Sequence, residues 1–505
     1  MTRLRGLLLL LGALTLVAPL AAACDDDQDK VVHDRFTTFL ADWRKADFSG
    51  FPDLLTPQGR TLDAAAAKEL LAGTEGDLSA RRPELTPHGK ARLQASDATL
   101  SVAVAWTLPD GRKWAYDTAV HARLLGKRWQ VYFGPSTVHP KLEDGQHLSL
   151  RATPAGRGKI AAADGTPIVA ETPVVYVGVE PRAVPDVPDL VAHLGDVFRS
   201  VQADVDVQGL PAKLQAAKPD AFVDVVTLRR TDFDEIATDL NKTPGIRVRA
   251  GTLSLPMTRT FARALLGTSG PATKEIIDAS GGALKAGDVA GLTGMQRRYD
   301  TQLRGLPGVS IAPLDARPGA TPGEPLFTLP AQDGAVIATT IDVKVQQAAD
   351  AALAGTGKPS ALVAVKVSDG TVLAVANGPG PAGYNLAFLG EIPGPAWPAD
   401  PASLGVGAKW SLGADVFTGR ADANGVTAAP IGYAAAAAAL SRGAWQEPVL
   451  VKDAKAQPGA KVQGTLDAPN LAVGVRDGIA YCAYVTDGTS QTAGAIADAF
   501  YAAVK

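Results

Sequence analysis

Acyl transfer by serine is the first chemistry to test for. A serine hydroxyl is a weak nucleophile and attacks a carbonyl only with a base within hydrogen-bond reach. A lysine three residues later on a helix can be that base, because positions i and i+3 share a face. No serine in this chain has lysine at the third position after it. Ser403 and Lys409 stand six apart, which on a helix puts them on different faces. His33, His88, His121, His139, His147 and His193 are scattered without metal-ligand spacing, so each reads as polar surface or a locally satisfied group. The two cysteines, Cys24 and Cys482, are too few for a disulfide framework or a thiolate zinc site. A net charge of -3 gives no case for nucleic-acid binding. No cofactor is implied by any of these residues.

The elements that would position such groups follow from hydrophobic period and turn signals. A length of 505 residues suggests about three domains. Val32, Phe36, Phe39, Leu40 and Trp43 recur at helical spacing, which predicts an amphipathic helix over 30–45, and 61–72 reads as a second helix. Segments 98–108, 112–125 and 128–133 read as strands separated by Pro109-Asp110-Gly111 and Gly126-Lys127 turns. Helices followed by a meander predict an α+β cone. Trp106, Trp114 and Tyr116 alternate and read as core, with a pocket lining as the alternative. Further on, strands are expected over 174–179 and 222–229 and helices over 187–197 and 231–240. The stretch 312–329 is rich in Pro, Gly and Ala and reads as a linker. Segment 361–367 reads as a buried strand, Ser368-Asp369-Gly370 as a hairpin turn and 371–376 as the return. An alanine helix ends near Leu440. Strands over 471–475 and 479–485 and a helix over 492–504 complete a sheet, with Cys482 as a small core residue.

The run from Thr258 to Val309 resembles the region that precedes the catalytic domain in class B penicillin-binding proteins. It holds Thr258-Arg-Thr-Phe-Ala-Arg-Ala-Leu-Leu-Gly267, Gly287-Asp-Val-Ala-Gly-Leu-Thr-Gly-Met-Gln-Arg-Arg-Tyr-Asp300 and Leu303-Arg-Gly-Leu-Pro-Gly-Val309. Trp129-Gln-Val-Tyr-Phe-Gly-Pro-Ser-Thr-Val-His139-Pro140 is similar to the NTF2-like domain at the front of some of these proteins. Arg151-Ala-Thr-Pro-Ala-Gly-Arg-Gly-Lys-Ile160 resembles the start of their pedestal, or dimerisation region. Thr339-Thr-Ile-Asp342, Asn377-Gly378-Pro379, Tyr384-Asn385 and the stretch from Asn424 to Pro430 resemble the catalytic domain. The resemblance implies an α+β multidomain chain: an NTF2-like α+β cone over 25–148, an elongated pedestal over 149–327, and a truncated β-lactamase/transpeptidase-like α/β sandwich over 328–505. Arg259, Arg263, Arg297, Arg298 and Arg304 are expected to pair with carboxylates and pin segments of the pedestal together.

The family's chemistry uses Ser-x-x-Lys, Ser-x-Asn and a Lys-Thr-Gly docking strand, and none of the three occurs here. Pro393-Gly394-Pro395-Ala396-Trp397-Pro398 stands where the first is expected, with Pro395 and Pro398 in place of serine and lysine. Prolines there also oppose a continuous helix. Lys461-Val-Gln-Gly464-Thr465 has the wrong spacing for the docking strand. No catalytic residue is assigned.

Residues 1–24 read as a secretory signal: Arg3 and Arg5, an uncharged stretch over 6–23, then Leu20-Ala-Ala-Ala-Cys24. Cysteine after small residues resembles the bacterial lipobox, with leucine one position early, and implies lipid attachment at Cys24. A plain secreted protein and an uncleaved helical anchor are the other readings. All three place the chain outside the cytoplasm. Three functions stay open: a lipid-anchored pseudo-transpeptidase acting as scaffold or regulator, partnered by the membrane and by cell-wall synthesis proteins or peptidoglycan; an active D,D-transpeptidase with displaced groups; and a small-ligand binder acting through the cone. Oligomeric state is left open.

Overall fold

The computed structural model describes residues 22–51, 54–201, 205–381, 383–394, 397–423, 425–452, 457–464, 466 and 470–505. The signal read over 1–24 lies outside them as far as residue 21, as do Pro395, Ala396, Asn424 and Thr465. Cys24 falls at the start of helix Ala22–Lys45, with its side chain outside the described part. Among the described residues no helix is long and apolar enough to cross a membrane. The chain has the mixed α+β, multidomain architecture expected, and it forms two compact units.

The first unit runs to Pro154 and takes in Pro307–Ala331. Its main sheet is ordered Thr61–Leu62, Leu54–Leu55, Arg128–Tyr132, Lys113–Leu125, Asp97–Thr107, Glu84–Pro87, with Arg92–Gln94 also on Asp97–Thr107. Period-two patterning builds it: Ala98, Leu100, Val102, Val104 and Trp106 are all buried on one face. Helix Ala22–Lys45 lays Phe36, Phe39, Leu40 and Trp43 into the core. Phe39, Phe48 and Phe133 pack with ring centroids 5.4–5.9 Å apart. Trp106 and Trp114 are buried opposite each other on neighbouring strands. Tyr116 Oη donates to Val138 O at 2.7 Å and accepts from Trp106 Nε1 at 3.2 Å.

Asp63 caps helix Ala64–Glu75 by accepting from Ala66 N at 2.8 Å. At the other end Glu75 is fully buried. It accepts from Trp43 Nε1 at 3.1 Å and Arg82 Nη1 at 2.9 Å, and burial pushes its carboxyl up to about 7.

The 312–329 stretch is not a linker. Gly308–Asp315 pairs along its length with Gln146–Thr153 and on its other side with Phe327–Leu329. Val309 and Ile311 bury into the first unit's core. Alternating apolar residues and a full backbone ladder outweigh the Pro/Gly composition, which is concentrated in the loop between the two strands.

The second unit holds Ala155–Leu306 and Gln332–Lys505. Pro167–Val179 is the centre of a sheet, antiparallel to Val223–Arg229 and Ile246–Pro256. Helices Val187–Ser200, Leu210–Ala216 and Arg230–Lys242 cover it through Leu194, Phe198, Phe233 and Leu240. A second sheet is ordered Val372–Asn377, Ser360–Lys366, Ile479–Val485, Leu471–Arg476. Ala361–Val365 is buried on both faces, which explains its unbroken apolar run. Helix Pro430–Arg442 covers one face of this sheet, and its alanines permit close approach. Helices Val343–Leu353 and Ser490–Val504 cover the other.

Phe39 is fully buried at the centre of the aromatic cluster. Phe39→Ala is therefore expected to cost about 3–5 kcal/mol of stability, read by denaturant unfolding of the full chain.

Candidate functional site

The site to examine is the frame around the four-stranded sheet of the second unit. Asp342 caps helix Val343–Leu353, accepting from Lys344 N at 2.9 Å and Val345 N at 3.0 Å. One turn on, buried Gln346 accepts from Val375 N at 2.7 Å and donates to Val375 O at 3.1 Å, fixing the helix to the edge strand of the sheet. Asn377 donates to Asn385 Oδ1 at 3.0 Å and accepts from Ala387 N at 3.0 Å. The two asparagines close the intervening loop and start the four-residue helix Leu386–Leu389.

A strand comes just before Pro395 and Pro398, the positions where the resemblance expects serine and lysine, with Pro395 and Ala396 outside the described residues. Ile392–Gly394 pairs antiparallel with Gly425–Ala428. Tyr433 lies beneath it, and its Oη is 3.0 Å from both Ile392 O and Val426 O. Burial raises the phenol well above its ordinary range, so it remains a proton donor. A Cβ on Gly394 would come 2.3 Å from Tyr433 Oη, so the phenol occupies space that any other residue there would need. Buried Trp397 packs on Tyr433 at 5.4 Å. Asn470 donates to Pro393 O at 3.2 Å.

The nearest serines and lysines are either held in other contacts or exposed. Ser403 donates to Asp400 O at 2.6 Å within the short turn Pro401–Leu404, and Lys409 is exposed. Lys461 ends the strand Pro458–Lys461, which pairs with Ala444–Gln446 and not with the edge strand Leu471–Arg476. Buried Ser360 shares a hydrogen bond with Thr356 at 3.0 Å. Lys366 pairs with Asp369 at 3.0 Å, and Lys452 donates to Ala163 O at 2.6 Å. Cys482 is fully buried and burial raises its thiol, which keeps it protonated and unreactive. Among the described residues no group of His, Cys, Asp and Glu side chains could hold a metal ion.

The motif-dense block before the sheet is structural. Arg157 and Asp300 form an ion pair at 2.9 Å with side-chain exposures of only 8% and 14%. Asp300 also accepts from Gly291 N at 2.7 Å and lies 3.6 Å from Arg304. Gln296 donates to Gly267 O at 3.1 Å. Gly267 has φ +74, and a Cβ there would lie 2.0 Å from Thr293 O, so glycine is required. Tyr299 Oη donates to Gly413 O at 2.9 Å and Arg298 pairs with Asp415 at 2.8 Å.

Phe261, Leu265, Leu266, Met295 and Leu303 share one core with Val363, Phe388, Trp410 and Tyr433. Of the five arginines expected to pin segments, Arg259 pairs with Asp232, while Arg298 and Arg304 pair as described. Arg263 and Arg297 form no ion pair among the described residues, because the apolar core already seats their short helices. Sequence reasoning missed the Asp300 junction and Tyr433. The signal for Tyr433 was one large polar residue at the head of an alanine run.

Residues 32–146 match the family described as the NTF2-like N-terminal transpeptidase domain. Residues 152–337 match the penicillin-binding protein dimerisation domain. The two modules stand in this order along the chain, and both matches end before the four-stranded sheet begins. Together the two matches support a class B penicillin-binding protein. No curated protein matches it.

Asp300→Ala strands the buried Arg157 guanidinium and is expected to cost about 3–5 kcal/mol. Arg298→Ala removes a half-exposed pair and is expected to cost under about 1 kcal/mol. Equilibrium unfolding of the two full-length variants checks the difference.

Proposed function

We propose that this protein is a lipid-anchored, extracytoplasmic pseudo-transpeptidase. In this reading it acts as a scaffold or regulator of peptidoglycan synthesis and performs no acyl transfer. The observation that carries the proposal is Pro395 and Pro398 standing where the family presents its nucleophile and base, directly after the strand Ile392–Gly394 that is held on Tyr433. In the family a hydroxyl and an amine one helical turn apart exchange a proton, and the two prolines supply neither group. The absence of Ser-x-x-Lys, Ser-x-Asn and Lys-Thr-Gly from the sequence supports the same reading.

Attachment at Cys24 would hold the chain to a bilayer stably if two or more acyl chains are added there. The partners are then other cell-wall synthesis proteins or peptidoglycan itself, recognised by surfaces and not consumed.

The test is intact-protein mass spectrometry after exposure to a β-lactam. No mass gain is expected. A stoichiometric penicilloyl adduct that disappears on mutating one serine would overturn the proposal. In the same cells, Cys24→Ala is expected to move the protein from the membrane fraction to the soluble fraction, and persistence in the membrane fraction would argue against the anchor.

A further inference from the structure

The strand Ile246–Pro256 lies at the edge of its sheet. It pairs residue for residue with Pro167–Val179, from Pro256 opposite Val169 to Ile246 opposite Val179, and the register never shifts. Among the described residues no strand pairs with its other side. At 11 residues it is about twice the usual strand length. Along such a strand the backbone groups point alternately to one side and the other. Met257 N donates to Ile168 O, so the odd-numbered residues turn their amides inward and the even-numbered ones turn theirs out. Outward carbonyls near the ends are taken. Ile246 O accepts from Arg247 Nη1 at 2.9 Å, Ser254 O from Ser269 Oγ at 3.0 Å and Pro256 O from Arg229 Nη2 at 2.5 Å. Between them, the outward N–H and C=O groups of Val248, Ala250 and Thr252 have no hydrogen-bond partner among the described residues, and all three residues are exposed.

Edges are usually blunted by proline, by a bulge or by a covering element. This one has no proline before Pro256 and no bulge. Its two faces differ in chemistry. Val248 and Ala250 stand opposite Val177 and Val175 on the face that the helices cover, and Val248 is 41% exposed. Arg247 and Arg249 stand opposite Gly178 and Tyr176 on the other face. The Arg249 guanidinium lies 3.8 Å from the centre of the Phe222 ring and 3.7 Å from Asp224. Glu180 serves both Arg182 and Arg247. Three guanidiniums thus share two carboxylates, and this face keeps a surplus of positive charge.

The geometry points to a docking edge at 248–252, where an extended segment of another protein adds to the sheet as a further strand. Its backbone completes the ladder on Val248, Ala250 and Thr252. Its side chains fall alternately on the two faces. Apolar ones sit beside Val248 and Ala250 and extend the helix-covered core. Carboxylates sit beside Arg247 and Arg249. The occupant is therefore a segment in which acidic and apolar residues alternate. Charge argues against a second copy of this chain, because pairing two such edges about a two-fold axis gathers the arginines of both copies on one face. The edge serves this role whether or not the protein transfers acyl groups.

Fluorescence anisotropy of the full-length protein with a labelled Glu-Val-Glu-Val-Glu-Val peptide tests the proposal. Saturable binding is expected. Only alternate peptide amides face the edge, so methylating either the valine or the glutamate nitrogens should weaken binding about tenfold or more, and methylating the other set should not. A Lys-Val-Lys-Val-Lys-Val peptide should bind about tenfold more weakly or not at all. Ala250→Pro removes one outward N–H and spares the inward ladder, and should also weaken binding about tenfold. The docking edge is overturned if the acidic peptide does not bind, if neither methylated peptide binds more weakly, or if the acidic and basic peptides bind alike. A wild-type dimer in analytical ultracentrifugation that Ala250→Pro dissociates would overturn it too, by giving the edge to a second copy. The peptide comparisons use wild-type protein alone and decide the matter even if Ala250→Pro fails to fold.

Discussion

Tyr433 Oη sits between two carbonyl oxygens with one proton to offer. Ile392 and Val426 belong to neighbouring strands, and the phenol of helix Pro430–Arg442 satisfies both from beneath. The low-dielectric surroundings strengthen that shared bond and make its loss expensive. Gly394 above and Trp397 beside it fit the same ring. The space around the phenol ring is thus used for packing. One side chain satisfies a carbonyl on each of two strands.

The second constraint is the core shared by the motif-rich block and the last sheet. Phe261, Leu265, Leu266 and Met295 are as deeply buried as the strand residues they meet. The Arg157–Asp300 pair lies beside this junction and satisfies a backbone N–H as well as a guanidinium. Sequence similarity in this block therefore reports packing. A chain can keep it intact while its catalytic segment changes, because the two make different physical demands.

Much of the fold was legible because the period of the apolar residues is local. Strands Asp97–Thr107 and Ser360–Lys366 and helices Ala22–Lys45 and Pro430–Arg442 fall where alternation or helical spacing put them. The Gly308–Asp315 strand was missed because its partner, Gln146–Thr153, is far away in the chain and proline and glycine dominate its surroundings. Arg263 and Arg297 were expected in ion pairs, a guess that charge invites and that distance alone can decide. For the site, the missing Ser-x-x-Lys could be read directly. What surrounds that stretch could not, since the contact of Tyr433 with Ile392 joins positions that no local pattern relates.

The first unit draws a strand from each side of a long intervening stretch, and that has a consequence for the order of its assembly. A ribosome delivers Gln146–Thr153 well before Gly308–Asp315 exists. Until then the earlier strand presents one row of amides and carbonyls with nothing to bind, an invitation to pairing with the wrong chain. The final ladder also closes a large loop, which slows its formation more than it weakens the product. Mispairing is therefore favoured in the interval between the appearance of the two strands, which ends when Val309 and Ile311 settle into the core.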